Sequence, residues 1–343
     1  MPHSSHAPPS GLAEVDSLVH ECWLRPSGGA DRALPVIALL GRPGSGKTFA
    51  LDHFDTVTRG APSARIDFAG NAVQRPHEVA LHLAFLLARK HPGSKPLRFP
   101  RLLLGLLAVQ PDISLTDRTR ATRELRGALR QARTRSAAVD ASEGIAGLVD
   151  TLGLSPVPGM ELIVGVLLRG FEYMPSGTFL NRALASYGSG SATDAVQELI
   201  ELNRRGRSRA EADTVFVDSR LCEAFLDDLR AGYARGRRAH NCLGLLDNID
   251  HNDGARFLET LLMLRTRRAR SGAFDPLLLV ATSATARAVP GPADGGPRDP
   301  HIQAARRAGY ADWRQRAGTP PSDWWYPVRL RDLDEVEVSL EAG

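Results

Sequence analysis

Lysine is almost missing from this chain. Of its 43 basic residues only Lys47, Lys90 and Lys95 are lysines, and the rest are arginine. Such a bias looks like the coding preference of a GC-rich genome, so arginine clusters count for little as evidence of anything. Cysteine is scarce as well: Cys22, Cys222 and Cys242 are odd in number and follow no spacing pattern. That excludes a disulfide framework and sets the expectation of a reducing, cytoplasmic compartment. No run of 18 apolar residues occurs; the nearest stretch, Met160 to Leu168, is short and bordered by Glu161 and Arg169, which argues against a membrane span. The N-terminal residues Met1 to Gly11 are rich in Pro, Ser and His and lack the basic-then-apolar order of a secretory signal, so a disordered tail is expected there. The net charge of +4 is too small to argue for nucleic acid by itself.

What remains is the composition of a folded domain. Hydrophobic residues make up 43% and charged residues 24% of 343 positions, enough for one large or two ordinary domains. Apolar positions at helical spacing predict a short helix over Leu12–Leu24. The apolar run Val36–Leu40 reads as a first strand, and the residues from Phe49 to Val57 as a helix. A second strand is expected over Ala64–Ala69. A long helical region follows, with core helices at Val79–Lys90 and Leu102–Val109 and a striped helix at Thr116–Ala138. Glycine and proline breaks at Gly153–Gly159, Pro175–Gly177 and Gly188–Gly190 divide its remainder, which ends in a helix over Thr214–Arg235.

The sheet then resumes. Cys242–Asp247 and Leu277–Ser283 read as third and fourth strands, separated by a helix over Ala255–Arg270. Ala288–Pro300 reads as a loop, Ile302–Arg316 as helical, Tyr326–Leu330 as a fifth strand and Asp332–Ala342 as an acidic helix. Strands that are apolar throughout are covered on both faces, which predicts an α/β fold with a mainly parallel sheet. The expected organisation is a tail at 1–11, a first core segment at 12–70, a helical insertion at 71–239 and a second core segment at 240–343.

The chemistry concentrates after the first strand, in Gly41-Arg42-Pro43-Gly44-Ser45-Gly46-Lys47-Thr48. This fits G-x-x-x-x-G-K-[ST], a loop whose backbone N–H groups turn toward phosphates and whose helix adds its positive end. Chance would supply such a match in roughly a few chains per thousand. Residues 41–49, closing with Phe49, are therefore the expected phosphate-binding set. Lys47 reaches the β- and γ-phosphates, and the Thr48 hydroxyl takes a place on Mg²⁺. The third strand delivers one carboxylate, Asp247, to the sheet's C-terminal edge, where it would hold that ion through a water. Asp250, three residues on, could orient or deprotonate an attacking water.

Asp247-Asn-Ile-Asp250 together with the glycine loop and the Leu277–Ser283 strand resembles the nucleotide core of STAND-type signalling ATPases, particularly the NACHT branch, within the wider AAA+/STAND class of P-loop NTPases. The resemblance covers about a third of the chain. It implies a five-stranded sheet in the order 5-1-4-3-2, ATP and Mg²⁺ as ligands, and a switch that controls a protein partner or self-association. It also implies Lys47 and Asp250 as catalytic residues, Thr48 and Asp247 on the metal, and Thr282 or Ser283 as a polar sensor near the γ-phosphate. Three departures stand out. His251 occupies the place of an acidic residue, the arginine that follows the sensor strand is displaced to Arg287, and no small helical lid follows the fifth strand. A fragment of a longer protein, a stand-alone core and a lid from another chain all remain open.

Competing classes are weighed by what they require. A GTPase needs N-K-x-D after the fourth strand, where Val280-Ala-Thr-Ser-Ala-Thr285 stands instead, and no ABC-type signature is present, so adenine is favoured by exclusion. The arginine-rich stretches at Arg118–Arg135, Arg204–Arg209, Arg235–Arg238 and Arg265–Arg270 read first as solvated helix faces and second as a nucleic-acid surface. Trp313 and Trp324-Trp325 read as packing anchors before a partner surface. His240-Asn-Cys242 has no second ligand pair and makes a poor metal site. A non-catalytic, nucleotide-stabilised interaction module and a nucleic-acid-dependent ATPase are the alternatives to a hydrolytic switch.

Overall fold

The apolar runs Val36–Leu40, Cys242–Asp247 and Leu277–Ser283 each become a strand buried along its whole length. The computed structural model describes residues 11–26, 31–70, 75–89, 91, 96–110, 192–234, 238–285 and 302–330, with isolated positions at 117–127 and at 184. Residues 1–73, 91–95 and 236–343 form one compact unit, and residues 74–90 and 96–235 a second.

The first unit is an open sheet of six parallel strands with helices. Its strands are β1 (Val36–Leu40), β2 (Ser63–Asp67), β3 (Cys242–Asp247), β4 (Leu277–Ser283), β5 (Gln303–Ala304) and β6 (Trp325–Arg329), in the order β2-β3-β4-β1-β6-β5. Every residue of β1, β3 and β4 is buried, as central strands of a parallel sheet must be. Helices α1 (Leu12–Trp23), α2 (Lys47–Val57), α7 (Asn252–Ala269) and α8 (Tyr310–Ala317) belong to the same unit. Leu18 and Val19 of α1, Leu51 and Phe54 of α2 and Trp313 of α8 pack in one core with Ile37, Leu39, Leu245, Val280, Tyr326 and Val328 of the sheet. The three tryptophans near the C-terminal end are packing anchors. All are buried, and Trp313 lies 6.1 Å from Trp324 ring to ring.

The strand count and full order differ from the expected five strands and 5-1-4-3-2, because Gln303–Ala304 adds a sixth strand at the edge beside β6. The stretch expected to be one helix over Ile302–Arg316 instead holds this strand, a 3-10 turn at Ala305–Arg307 and the shorter α8. Two residues are too few to show a period, and they are strand only because Val328 and Arg329 lie alongside to receive them.

In the second unit, described by α3 (Pro76–Leu87), α4 (Pro100–Ala108), α5 (Ala192–Gly206) and α6 (Glu211–Ala234), buried polar groups close the ends of a buried helix. Asp228 of α6 accepts the N–H groups of Arg101 and Leu102 at the start of α4 (2.9 and 3.0 Å), and Asn203 of α5 donates to the Ala108 carbonyl at its end (2.6 Å). These partners satisfy backbone groups that no residue of α4 can reach. The breaks at 153–159, 175–177 and 188–190, Arg287, the loop at 288–300, the acidic helix at 332–342 and nearly all of the Thr116–Ala138 helix lie outside the described residues. No helix among the described residues is long and apolar enough to cross a membrane.

One buried ion pair ties α7 to the starts of two central strands. The Arg265 guanidinium, in a residue only 2% exposed, donates to both Asp275 carboxylate oxygens (3.0 and 2.6 Å) and to the Leu277 and Leu34 carbonyls (2.5 and 3.4 Å). Removing its counter-charge leaves a cation buried without compensation. Asp275→Asn is therefore expected to destabilise the fold by about 3–5 kcal/mol, read as a lower urea midpoint at unchanged m-value.

Candidate functional site

A parallel register sets which residues meet at the C-terminal edge of this sheet. Leu40 pairs with Ser283 and Leu39 with Thr282, and on the far side of β4 Leu246 pairs with Ala281, so Asp247 stands level with Thr282. With about 4.8 Å between neighbouring strands, β1 and β3 run about 10 Å apart, with β4 between them.

From Gly41 the chain turns into α2 through a loop that is left-handed at two glycines, Gly44 and Gly46. Gly46, the residue preceding α2, has φ 82°, a left-handed conformation costly to any side chain. A β-carbon on Gly41 would fall 2.2 Å from the Ser45 hydroxyl oxygen. Arg42, Pro43 and Gly44 are exposed on the loop, and Thr48 and Phe49 are exposed on the first turn of α2. No side chain caps that turn and no acidic residue stands in it, so the helix's positive end meets no anion from its own sequence. The Lys47 ammonium folds back over the loop, donating to the carbonyls of Gly41 (2.6 Å) and Arg42 (2.9 Å). Ser45 is buried, yet its hydroxyl has no hydrogen-bond partner. An unsatisfied buried hydroxyl beside an uncapped helix start is the chemistry of an anion cradle, so the residues present fit a phosphate chain.

Across β4 the carboxylates are held by a defined network. Asp247 is 2% exposed, and its Oδ1 accepts the Thr282 hydroxyl at 2.5 Å. The same hydroxyl oxygen accepts the Asn248 N–H (2.9 Å), so Thr282, itself wholly buried, is committed to Asp247 and to the turn that follows it. Asn248 adopts φ 58°, and its amide donates to Asp67 at the end of β2 (2.8 Å). That bond and the Ala69 N–H hold the Asp67 carboxyl below its ordinary range. The left-handed step at Asn248 carries the chain over to β4. There Asp250 accepts the Ser283 hydroxyl (2.5 Å), the Ala284 N–H (2.7 Å) and, at longer range, the Thr285 hydroxyl (3.5 Å). His251 is exposed and precedes α7, where its carbonyl accepts the Gly254 N–H (3.0 Å).

Two site residues carried no signal in the sequence. Arg65 of β2 bonds Asp52 of α2 and places its second terminal nitrogen 3.5 Å from Asp247 Oδ2. Burial opposes the Arg65 charge, but the Asp52 hydrogen bond and the two carboxylates outweigh it and raise its pKa above the ordinary arginine value. In the sequence Arg65 is the polar member of an alternating strand, and Asp52 is one more acid on a helix. Their meeting depends on β2 lying beside β3.

Other expected candidates are spent elsewhere. Arg265 is paired with Asp275, and Arg204 and Arg205 are paired with Glu201, while most of the Arg118–Arg135 stretch and residues 235–237 lie outside the described residues. His240 stacks on Trp23 (centroids 3.9 Å apart), and the Cys242 thiol donates to the Pro276 carbonyl. No group of three or more His, Cys, Asp or Glu that could hold a metal stands together among the described residues.

Thr282→Val keeps the shape of the side chain while leaving the Asp247 oxygen and the Asn248 N–H without their partner. It is expected to lower stability by about 1–3 kcal/mol in urea unfolding, whereas Thr282→Ser keeps the hydroxyl and most of the stability. No family model matches this chain, and no curated protein matches it.

Proposed function

We propose that this protein binds Mg·ATP at the Gly41–Phe49 loop and hydrolyses it as a switch of the STAND/AAA+ kind. The observation that carries this reading is the juxtaposition at one sheet edge. An uncapped helix start with a buried, unpartnered Ser45 hydroxyl stands one strand away from the buried Asp247 carboxylate. Phosphate oxygens would take the loop N–H groups and the Ser45 hydroxyl, and the Lys47 ammonium would exchange the Gly41 and Arg42 carbonyls for the β- and γ-phosphates. Thr48 and Asp247 are the residues that would hold Mg²⁺, which when bound neutralises charge developing on the transferred phosphoryl group.

Asp250 is the residue best placed to orient a water toward the γ-phosphate. Its own orientation is supplied by Ser283, Ala284 and Thr285 at the end of β4. Thr282 acts through Asp247 rather than on the nucleotide, since its hydroxyl already serves that carboxylate. Closure of the loop around nucleotide would then control a protein partner or self-association.

The engagement of Asp250 by three donors, with His251 beside it, favours a second reading, in which the site binds nucleotide without turnover. Lys47→Ala is expected to abolish ATP binding in a calorimetric titration. Asp250→Asn is expected to keep binding and to lose phosphate release in a turnover assay. Undetectable turnover by the unmodified protein alongside intact binding would establish the second reading. Unchanged affinity in Lys47→Ala would remove both.

A further inference from the structure

Thr48 and Asp52 lie one turn apart on α2, four residues being the spacing that puts two side chains on one helix face. Asp52 holds the Arg65 guanidinium, and the other end of that fork reaches Asp247 Oδ2 at 3.5 Å, opposite the oxygen that Thr282 occupies. A planar fork with several fixed donors can serve two carboxylates at once in a set geometry, which a freely rotating ammonium does not impose. Asp247 is therefore held from both sides, by a hydroxyl from β4 and by a cation from β2. The cation in turn is anchored to the helix that carries Thr48.

We propose that Arg65, anchored by Asp52, is the positioning residue for the metal side of the site. It sets the separation between the Thr48 face of α2 and the Asp247 carboxylate. This inference rests on the nucleotide reading above. Arg65 touches neither phosphate nor attacking water. Its loss should act on the metal-dependent part of binding and leave the metal-independent part alone.

The experiment is a calorimetric titration of the full chain with ATP, once with Mg²⁺ and once with EDTA, comparing the unmodified protein with Arg65→Ala and Asp52→Asn. Asp52 is exposed, so the second variant tests the same anchor with little risk to folding. The gain in affinity that Mg²⁺ confers is expected to fall about 10-fold or more in Arg65→Ala and by a smaller factor in Asp52→Asn, with affinity in EDTA unchanged. A Mg²⁺ gain equal to that of the unmodified protein in both variants would overturn the assignment. An equal loss in Mg²⁺ and in EDTA would also overturn it, since that marks general damage to the cradle. If the unmodified protein binds no ATP under either condition, the nucleotide reading itself fails.

Discussion

The site depends on strand ends that stop within one residue of the same level. Parallel pairing through β1, β4 and β3 fixes Leu40 against Ser283 and Ala281 against Leu246, and everything placed just beyond those residues shares the same edge. A one-residue slip of β3 would turn Asp247 to the opposite face, away from α2, and replace its buried neighbours with mismatched ones. Burial makes such a slip costly, because the three strands are apolar on both faces and no alternative register leaves a polar face toward water. The same burial makes the Asp247 carboxylate demanding. A charge this deep needs partners, and Thr282 and Arg65 supply them from the strands on either side.

The two halves of the edge are built by different means. The loop from Gly41 to Gly46 is a backbone device: a left-handed glycine opens α2, and no side chain caps the donors of its first turn. The carboxylate half is a side-chain device, in which Asn248, Asp67, Thr282, Ser283 and Asp250 fix each other across three strands. Arg65 links the halves because it belongs to the strand beside β3 and bonds the helix that follows the loop. Networks of this kind have every member satisfied or else destabilise the protein, which is why Thr282 and Asp250 are committed so completely to their neighbours.

Much of this was legible in the chain. Val36–Leu40, Cys242–Asp247 and Leu277–Ser283 are strands over the very residues that their apolar runs span, and α1 and α2 fall within two residues of the expected ends. The glycine loop was legible because its residue types are demanded by backbone geometry within eight positions. Gln303–Ala304 was not, because a two-residue strand has no pattern of its own and exists only through β6. Nor was the hydrogen-bond partner of Thr282, because its hydroxyl meets the carboxylate that ends the neighbouring strand and only strand order brings the two together.

Local chemistry, then, was determined by the sequence alone: which runs are buried strands, where the backbone must turn left-handed, and which loop lacks an anion of its own. Those properties depend on residues within about one helical turn or one strand of each other. Only the tertiary structure decided which side chains pair at the edge, that Arg65 stands between Asp52 and Asp247, and that the arginines at 265 and 204–205 are spent on carboxylates. These pairings join elements far apart in the chain. Strand order and register bring them together, and no local pattern carries that information.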